Sequence, residues 1–457
     1  MQIAFRNVAF ALLMSVGIAH SAWSQTTASS VEEILTEIAQ YVGIDRGEID
    51  PDDDLVEDLF LDRAEAFQLF AVLCDRHGIP LPSGDGITRV GEIASYLSGA
   101  VASRGTFVRN ENPQRIVNVF YATDRARTGS EDPAQFYDGN RSANGDVEYG
   151  TVEVIIPGSH RPGQLETPFF GLRILNSPQR HVTVTNVSPM SAMRFWSRVA
   201  DDLASMEGDT RSDIVLFVHG YRVTFEGAAR RTAQIAVDMA ESDAGFQFAP
   251  IFYSWPSNGT LSGYMSDRED VTWSAGHIED FLLDTFERSN NARIHLVAHS
   301  MGSQGLLGAL RLLARNPRSG GGALFENVLL AAPDFDADVF EQQMAKDEIL
   351  RLSRQWTVYT SDRDAALKAS SVFNEARRLG LPIIALPGVD MIDATGLEVT
   401  PWNVPEFHSY FATKQRVIND VASVLSGVRP TARRLLRETL GDRIYWRLIN
   451  PEGDPSR

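Results

Sequence analysis

The chain has 457 residues, enough for two or three domains, and its hydrophobic fraction of 43% is that of a globular protein with a sizeable core. A formal net charge of -18 argues against nucleic acid and anionic membrane surfaces as main partners. Cys74 is the one cysteine, which excludes an intrachain disulfide framework and a Cys-based metal cluster. With no H-E-x-x-H pair and no GKS/GKT phosphate loop, neither a metal nor a cofactor is expected.

Residues 1–24 read as a signal peptide. Arg6 supplies the positive region, 8–19 the apolar run, and Ser21, Ala22 and Ser24 the small residues, with cleavage between Ala22 and Gln25. That apolar run is too short to span a membrane comfortably, and no later stretch is long and apolar enough to form a transmembrane helix. A periplasmic or secreted protein is expected.

Residues 31–98 form a separate acidic module, with sixteen Asp/Glu against four Arg, a net of -12. Val31, Ile34, Leu35, Ile38 and Val42 fall on a helical stripe, Ala66 to Cys74 mark a second helix, and 90–97 a last one, with Pro80 and Pro82 breaking the chain between them. The segment resembles an acyl carrier protein through Val42-Gly43-Ile44, Ile49-Asp50-Pro51, Val56-Glu57-Asp58-Leu59, His77 to Pro82 and Thr88 to Ile93. In that family an Asp-Ser-Leu triplet carries phosphopantetheine on its serine. The matching triplet here is Asp62-Arg63-Ala64, so the resemblance implies the fold without the carrier activity.

Residues 99–112 read as a linker, and 113–427 as the main domain. Strands are expected at 116–121, 151–156 and 181–187, with 129–150 as an exposed excursion. From Asp213 onward strands and helices alternate, which signals a mainly parallel sheet covered on both faces, an α/β class. The expected strands are 214–218, 249–253, 293–298, 327–331 and 355–360, with helices near 225–240, 267–288, 303–315, 337–347 and 364–379. Residues 428–457 read as a C-terminal amphipathic helix and tail, with Leu436, Leu440, Ile444 and Leu448 on one stripe among arginines at 433, 434, 437, 443 and 447. These arginines offer a surface on which the acidic module 31–98 could dock, against a solvated spacer as the alternative.

Within 293–313 the hydrophobic period changes from a buried strand to a helix, and Ala298-His299-Ser300-Met301-Gly302 sits at the change. This looks like the nucleophile elbow, G-x-S-x-G, with Ala in place of the first Gly, against a plain buried strand and Ser-Gly turn. A serine hydroxyl is a weak nucleophile that must reach both a base and a substrate, and a sharp strand-to-helix turn projects it from the sheet. Such a turn needs small residues two before and two after, and the helix behind it aims amides at a developing oxyanion.

Together, Phe217-Val218-His219-Gly220-Tyr221, Tyr253 to Ser257, the Ser300 pentapeptide, Leu330 to Asp334, Ser361 to Leu367 and His408-Ser409-Tyr410 resemble a bacterial family of α/β-hydrolases catalogued as a domain of unknown function, over roughly 115–425. The resemblance implies the α/β-hydrolase fold and a Ser/Asp/His triad, and brings no substrate. A strand ending in His-Gly lets the amide of Gly220 or Tyr221, with that of Met301, form the oxyanion hole, while His219 shapes the loop. In chain order the acid follows the serine: Asp364 is preferred to Asp362, with Asp334 and Asp336 as further candidates and a helix N-cap as the plain structural role. Of nine histidines His408 alone follows that acid, and it is the candidate base. Trp255, Tyr264, Met265 and Phe335 are candidates for an acyl or aryl pocket. The expected activity is hydrolysis of a small-molecule carboxylic ester, thioester or amide, with a non-catalytic binding protein on the same fold as the rival.

Overall fold

The computed structural model describes residues 31–42, 45–50, 53, 55, 69–70, 72–74, 76–77, 79, 90–102, 113–166, 178–206, 212–260, 263–344, 348–395, 397 and 410–449. The expected signal peptide, Arg63 and His408 lie outside the described residues. The chain divides into two compact units, Met1–Arg109 and Asn110–Arg457.

In the first unit, helix α1 (Val31–Val42) and helix α2 (Val90–Ala102) share one apolar cluster. Ile34, Leu35 and Ile38 of α1 meet Val90, Ile93 and Leu97 of α2, with Leu69, Phe70, Leu73 and Cys74 between them. The Phe70 and Tyr96 rings meet edge to face at 5.8 Å. Burial pushes the Cys74 thiol up to about 11, which leaves it without thiolate character at neutral pH.

The second unit opens with β1 (Arg115–Thr123), a small ribbon of β2 (Arg125–Arg127) and β3 (Tyr137–Arg141), then β4 (Glu148–Ile156) and β5 (Thr183–Met190). The expected exposed excursion 129–150 therefore contains a strand and the start of another, and Tyr137 within it is buried. Helix α3 (Ala192–Ser205) follows, a helix the sequence patterning did not single out. The alternating part is β6 (Asp213–Val218), α4 (Phe225–Ala240), β7 (Ala249–Ser254), α5 (Tyr264–Trp273), α6 (Ala275–Arg288), β8 (Arg293–His299), α7 (Gly302–Arg315), β9 (Phe325–Ala331), β10 (Ser353–Thr360), α8 (Ala365–Asn374), β11 (Asp390–Asp393) and α9 (Gln415–Leu425).

Nine of these strands, all but β2 and β3, join the C-terminal β12 (Leu435–Leu440) and β13 (Arg443–Leu448) in one 11-stranded sheet of order β12-β13-β11-β10-β9-β8-β6-β7-β1-β4-β5. The run from β1 through β7, β6, β8, β9, β10 and β11 to β13 is parallel, and antiparallel strands extend both edges. Both faces are covered, and that is why the strands read as continuous apolar runs. Ile214, Leu216 and Val218 of β6 join Phe195, Phe281 and Leu310 of the helices on one face. Val215 and Phe217 join Phe225, Ala229, Ile418 and Val421 on the other. The sheet is that of an α/β-hydrolase. Because β7 lies on one side of β6 and β8 on the other, the order reverses there, and a crevice opens at the carboxyl ends of these strands.

The C-terminal segment corrects the sequence reading. It is a β-hairpin, β12 (Leu435–Leu440) and β13 (Arg443–Leu448), where a helix was expected. Leu436, Leu440, Ile444 and Leu448 are spaced by four, and a spacing of four fits one face of a strand as well as one face of a helix. The two-residue turn Gly441-Asp442 decides between them, with Gly441 at φ 64.

Candidate active site

Ser300 follows β8 directly, at φ 53, a left-handed conformation that β-carbon sterics disfavour for serine. The surroundings over-determine it. Its amide donates to Ala331 O at 3.0 Å, and its carbonyl accepts from Asp334 N at 3.2 Å. Gly302 lies against the carbonyls of Val218 and His219, and a β-carbon there would collide with both. Across the crevice, a β-carbon on Gly220 would stand 2.9 Å from Ser300 Cβ. The loop after β6 and the turn after β8 are thus in direct backbone contact, which needs glycine on each side. Helix α7 begins at once, with no side-chain cap at Met301; the amides of Ser303 and Gln304 donate to Ser300 O at 3.0 Å and Met301 O at 2.9 Å.

His219 is buried below this contact and cannot serve as a base. Its Nδ1 donates to Gly220 O at 2.9 Å, and its Nε2 accepts from Arg125 Nη2 at 3.2 Å, an assignment fixed because guanidinium can only donate. Burial, with the Arg125 charge beside it, pushes its pKa down to about 3. Trp255 stacks on the His219 ring at 4.9 Å and donates Nε1 to His219 O at 2.7 Å. Trp255 is fully buried and so walls no pocket, which corrects its expected place.

Arg125 is the residue of this region that the sequence reading missed. It is 2% exposed and spends its whole fork on four segments. Nε donates to Ser254 Oγ at 2.8 Å, Nη1 to Asp138 O at 2.9 Å and Ser257 O at 3.0 Å, and Nη2 to Val223 O at 2.8 Å as well as to His219. It therefore ties β2, β3, the end of β7 and the loop after β6 together. Burial lowers its pKa to about 10, still well above neutral pH. The sequence Asp124-Arg125-Ala126-Arg127 reads as an ordinary charged turn, and nothing local in it marks Arg125.

The candidate acids fall into different settings. Asp364 follows β10, is fully buried, and caps α8 by accepting from Leu367 N at 2.9 Å on Oδ1. A carboxylate has two oxygens, so capping a helix and holding an imidazole are compatible roles. Asp362 is exposed. Asp336 caps a short turn through Asp338 N and Val339 N. Asp334 is buried, and its carboxylate is engaged by Tyr264 Oη at 2.9 Å, Ser370 Oγ at 2.6 Å and Arg378 Nε at 3.6 Å. His408 lies outside the described residues. The described chain resumes at the short helix Tyr410–Thr413, where Phe411 stacks on His299 at 4.7 Å, beside Ser300 in sequence.

Ser300 opens onto a cavity of about 490 Å³. Tyr221, Tyr264, Met265, Leu367 and Phe373 wall it, with Asp334 and Ser370 set into the wall. Tyr264 and Met265 were sequence candidates. Phe335 packs against the core and is not among the walling residues. Tyr221, expected as an oxyanion amide, also contributes its ring, whose hydroxyl donates to Thr260 O at 2.9 Å.

The family described as an alpha/beta hydrolase of unknown function (DUF900) matches residues 197–418. That span holds the crevice, the Ser300 elbow and each candidate acid and base. An uncharacterized protein of Nostoc sp. is 25% identical over 217 residues, covering 37% of this chain and 56% of the relative. The chain thus spans about half the length of this curated relative. Among solved structures, the phospholipase PlaB of Legionella pneumophila in complex with thio-NAD aligns over 52% of this chain and 68% of its own, with 13% identity and a TM-score of 0.30. Carboxyl esterase 2 of Tuber melanosporum aligns over 71% and 89%, with 10% identity and a TM-score of 0.31.

Proposed function

We propose that the chain is an exported serine hydrolase that cleaves a carboxylic ester, thioester or amide. Ser300 is the nucleophile, His408 the base and Asp364 the acid that orients it. The observation that carries this reading is Ser300 held at φ 53 between a parallel strand and a helix, with glycines on both sides of its contact with the loop after β6. Strain of about 1–3 kcal/mol at one serine is retained where the surroundings and the chemistry require it.

In the proposed reaction Ser300 Oγ bonds the acyl carbon while its proton passes to His408. The oxyanion is held by backbone amides near Gly220 and at Met301. The carbonyl re-forms as the bond to the leaving group breaks, and His408 returns the proton to that group. Water then repeats the sequence on the acyl-enzyme, releasing a carboxylic acid and restoring Ser300. A fluorophosphonate probe should label the purified protein at one peptide containing Ser300, and Ser300→Ala should lose both label and ester turnover. Turnover undiminished in that variant would refute the assignment and favour a binding protein on the same fold.

The acidic unit is proposed to carry no phosphopantetheine, because Arg63 stands where the attachment serine would be. Its docking to the C-terminal arginines rests on charge alone. Within the hydrolase unit Arg433 already pairs with Asp420, Arg443 with Glu341, and Arg447 with Asp393 and Glu438. An intact mass with an added phosphopantetheine would overturn the first point. Free release of the unit at low ionic strength, once the linker is cut, would identify it as a spacer.

A further inference from the structure

The cavity beside Ser300 has walls whose polar atoms are already committed to one another. Asp334 accepts from Tyr264 Oη and Ser370 Oγ, and Asn374 Nδ2 donates to Tyr264 Oη at 3.0 Å and to Ser370 O at 2.8 Å. Arg378 closes the far side of Asp334 at 3.6 Å. A ligand entering here meets a satisfied network, and a charged or peptidic group would lose its water without gaining partners in return. What the walls do offer is apolar surface.

That surface is continuous and leads outward. Tyr221 meets Tyr264 edge to face at 5.5 Å, and Tyr264 meets Phe373 in the same way at 5.5 Å. The three rings form a row from the oxyanion-side loop to the surface. Phe373 shares one stripe of α8 with Ala366, Ala369 and Ser370, which also line the cavity, and the two alanines keep the floor wide. At the mouth, Met265 is 50% exposed and Phe373 62%. Large side chains so exposed on the two helices that flank one cavity extend its apolar track beyond its rim.

Resting on the serine-hydrolase reading, we infer that the substrate is an ester of an unbranched, uncharged fatty acid. Its acyl chain lies along the Tyr221–Tyr264–Phe373 row, and its far end reaches Met265. The carbonyl stands at Ser300 and the alcohol leaves on the open side of the crevice. Esters of charged or peptidic acids are excluded by the same walls. Each methylene buried along the row should raise kcat/KM by up to about fourfold, until the chain passes the rim.

The test is a series of p-nitrophenyl esters from acetate to decanoate on the full chain, with the hemisuccinate as a charged member of the length of butyrate. Expected is a rise in kcat/KM of at least a hundredfold from acetate to decanoate, with the hemisuccinate at least tenfold below butyrate. Ala369→Phe, which fills the floor, should cut the decanoate-to-acetate ratio at least tenfold. Decanoate titrated calorimetrically into the Ser300→Ala protein supplies a readout independent of turnover: it should bind, and bind more weakly when Ala369→Phe is added. Ser300 labelled by fluorophosphonate, but with equal rates along the series or no decanoate binding, would overturn the acyl-chain assignment alone. A protein with no label and no turnover of acetate would overturn the hydrolase reading beneath it.

Discussion

His219 and His160 both bury their rings, and their surroundings drive them in opposite directions. His219 sits against Arg125 and is held neutral, its pKa pushed down to about 3 by burial and by that cation. His160 stands between two carboxylates, with Nδ1 2.8 Å from Glu166 and Nε2 2.8 Å from Asp238. Burial alone would lower its pKa, but the hydrogen bonds to Asp238 and Glu166 outweigh it and raise the value to about 9. One region is organised by a buried guanidinium, the other by a buried imidazolium. Both hold loops that border the crevice: Arg125 and His219 the segment 219–223, and the His160 cluster the turn Tyr410–Thr413, through Gln234 and Arg231 to Ala412 O. The same residue type thus becomes a neutral spacer or a fixed charge according to what faces it.

The largest effect is expected where the comparison has its cation. Arg125→Met removes the fork and leaves the carbonyls of Asp138, Val223 and Ser257 and the Nε2 of His219 buried without their donor. Breaking a buried charged network from one side costs about 3–5 kcal/mol. The urea midpoint should fall accordingly at unchanged m-value. Arg125→Lys keeps the charge but not the fork, and should recover only part of the loss. A midpoint within experimental error of the parent for Arg125→Met would mean that this network holds nothing.

The two histidines should give stability slopes of opposite sign. His219 binds its proton more readily unfolded, near pH 6.5, than folded, so its contribution is complete above pH 6.5 and is lost as pH falls towards 3. His160 is the reverse: its contribution is complete below pH 6.5 and is lost as pH rises through 9. Glu166 and Asp238 face it directly, with Gln234 and Arg231 behind Asp238. The alkaline loss is about 2 kcal/mol once partial exposure of the pair to solvent is allowed for. Denaturation measured from pH 6.5 to 9.5 should decline in the parent and run flat in His160→Gln. A decline of equal steepness in both proteins would show that other groups set the alkaline limb.

Much of the frame beneath these clusters was legible in the sequence. β6 to β10 were read nearly to their ends, because strands buried on both faces leave uninterrupted apolar runs. The elbow was legible because a change of period brackets a serine with small neighbours. Arg125 was not, since its importance lies in acceptors from residues 138, 219, 223, 254 and 257, which no local pattern assembles. The hairpin Leu435–Leu448 was misread because its leucines repeat every four residues, and the Gly441-Asp442 turn was passed over. β11 is four residues long and carries an Asp at each end, too short and too polar to signal itself.

The smallest effect should sharpen which cluster serves chemistry and which serves stability alone. Gln234 joins Asp238 to Ala412 O, so it links the His160 cluster to the turn that begins two residues after His408. Gln234→Leu removes one buried hydrogen-bond donor to each acceptor while keeping much of the side-chain volume, at a stability cost of about 1 kcal/mol. Arg231 still donates to Ala412 O at 3.3 Å, and the fold should persist. If the turn sets the position of His408, a loosened turn misplaces the proposed base without touching the cavity beside Ser300. Then kcat should fall about tenfold with KM nearly unchanged, and Gln234→Glu should not rescue it, because a carboxylate cannot donate to Ala412 O. A purely structural role would lower stability by the same amount and leave kcat at the parent value. That outcome would confine the His160 cluster to holding the fold, and leave the Arg125 region as the sole organiser of the crevice among the described residues.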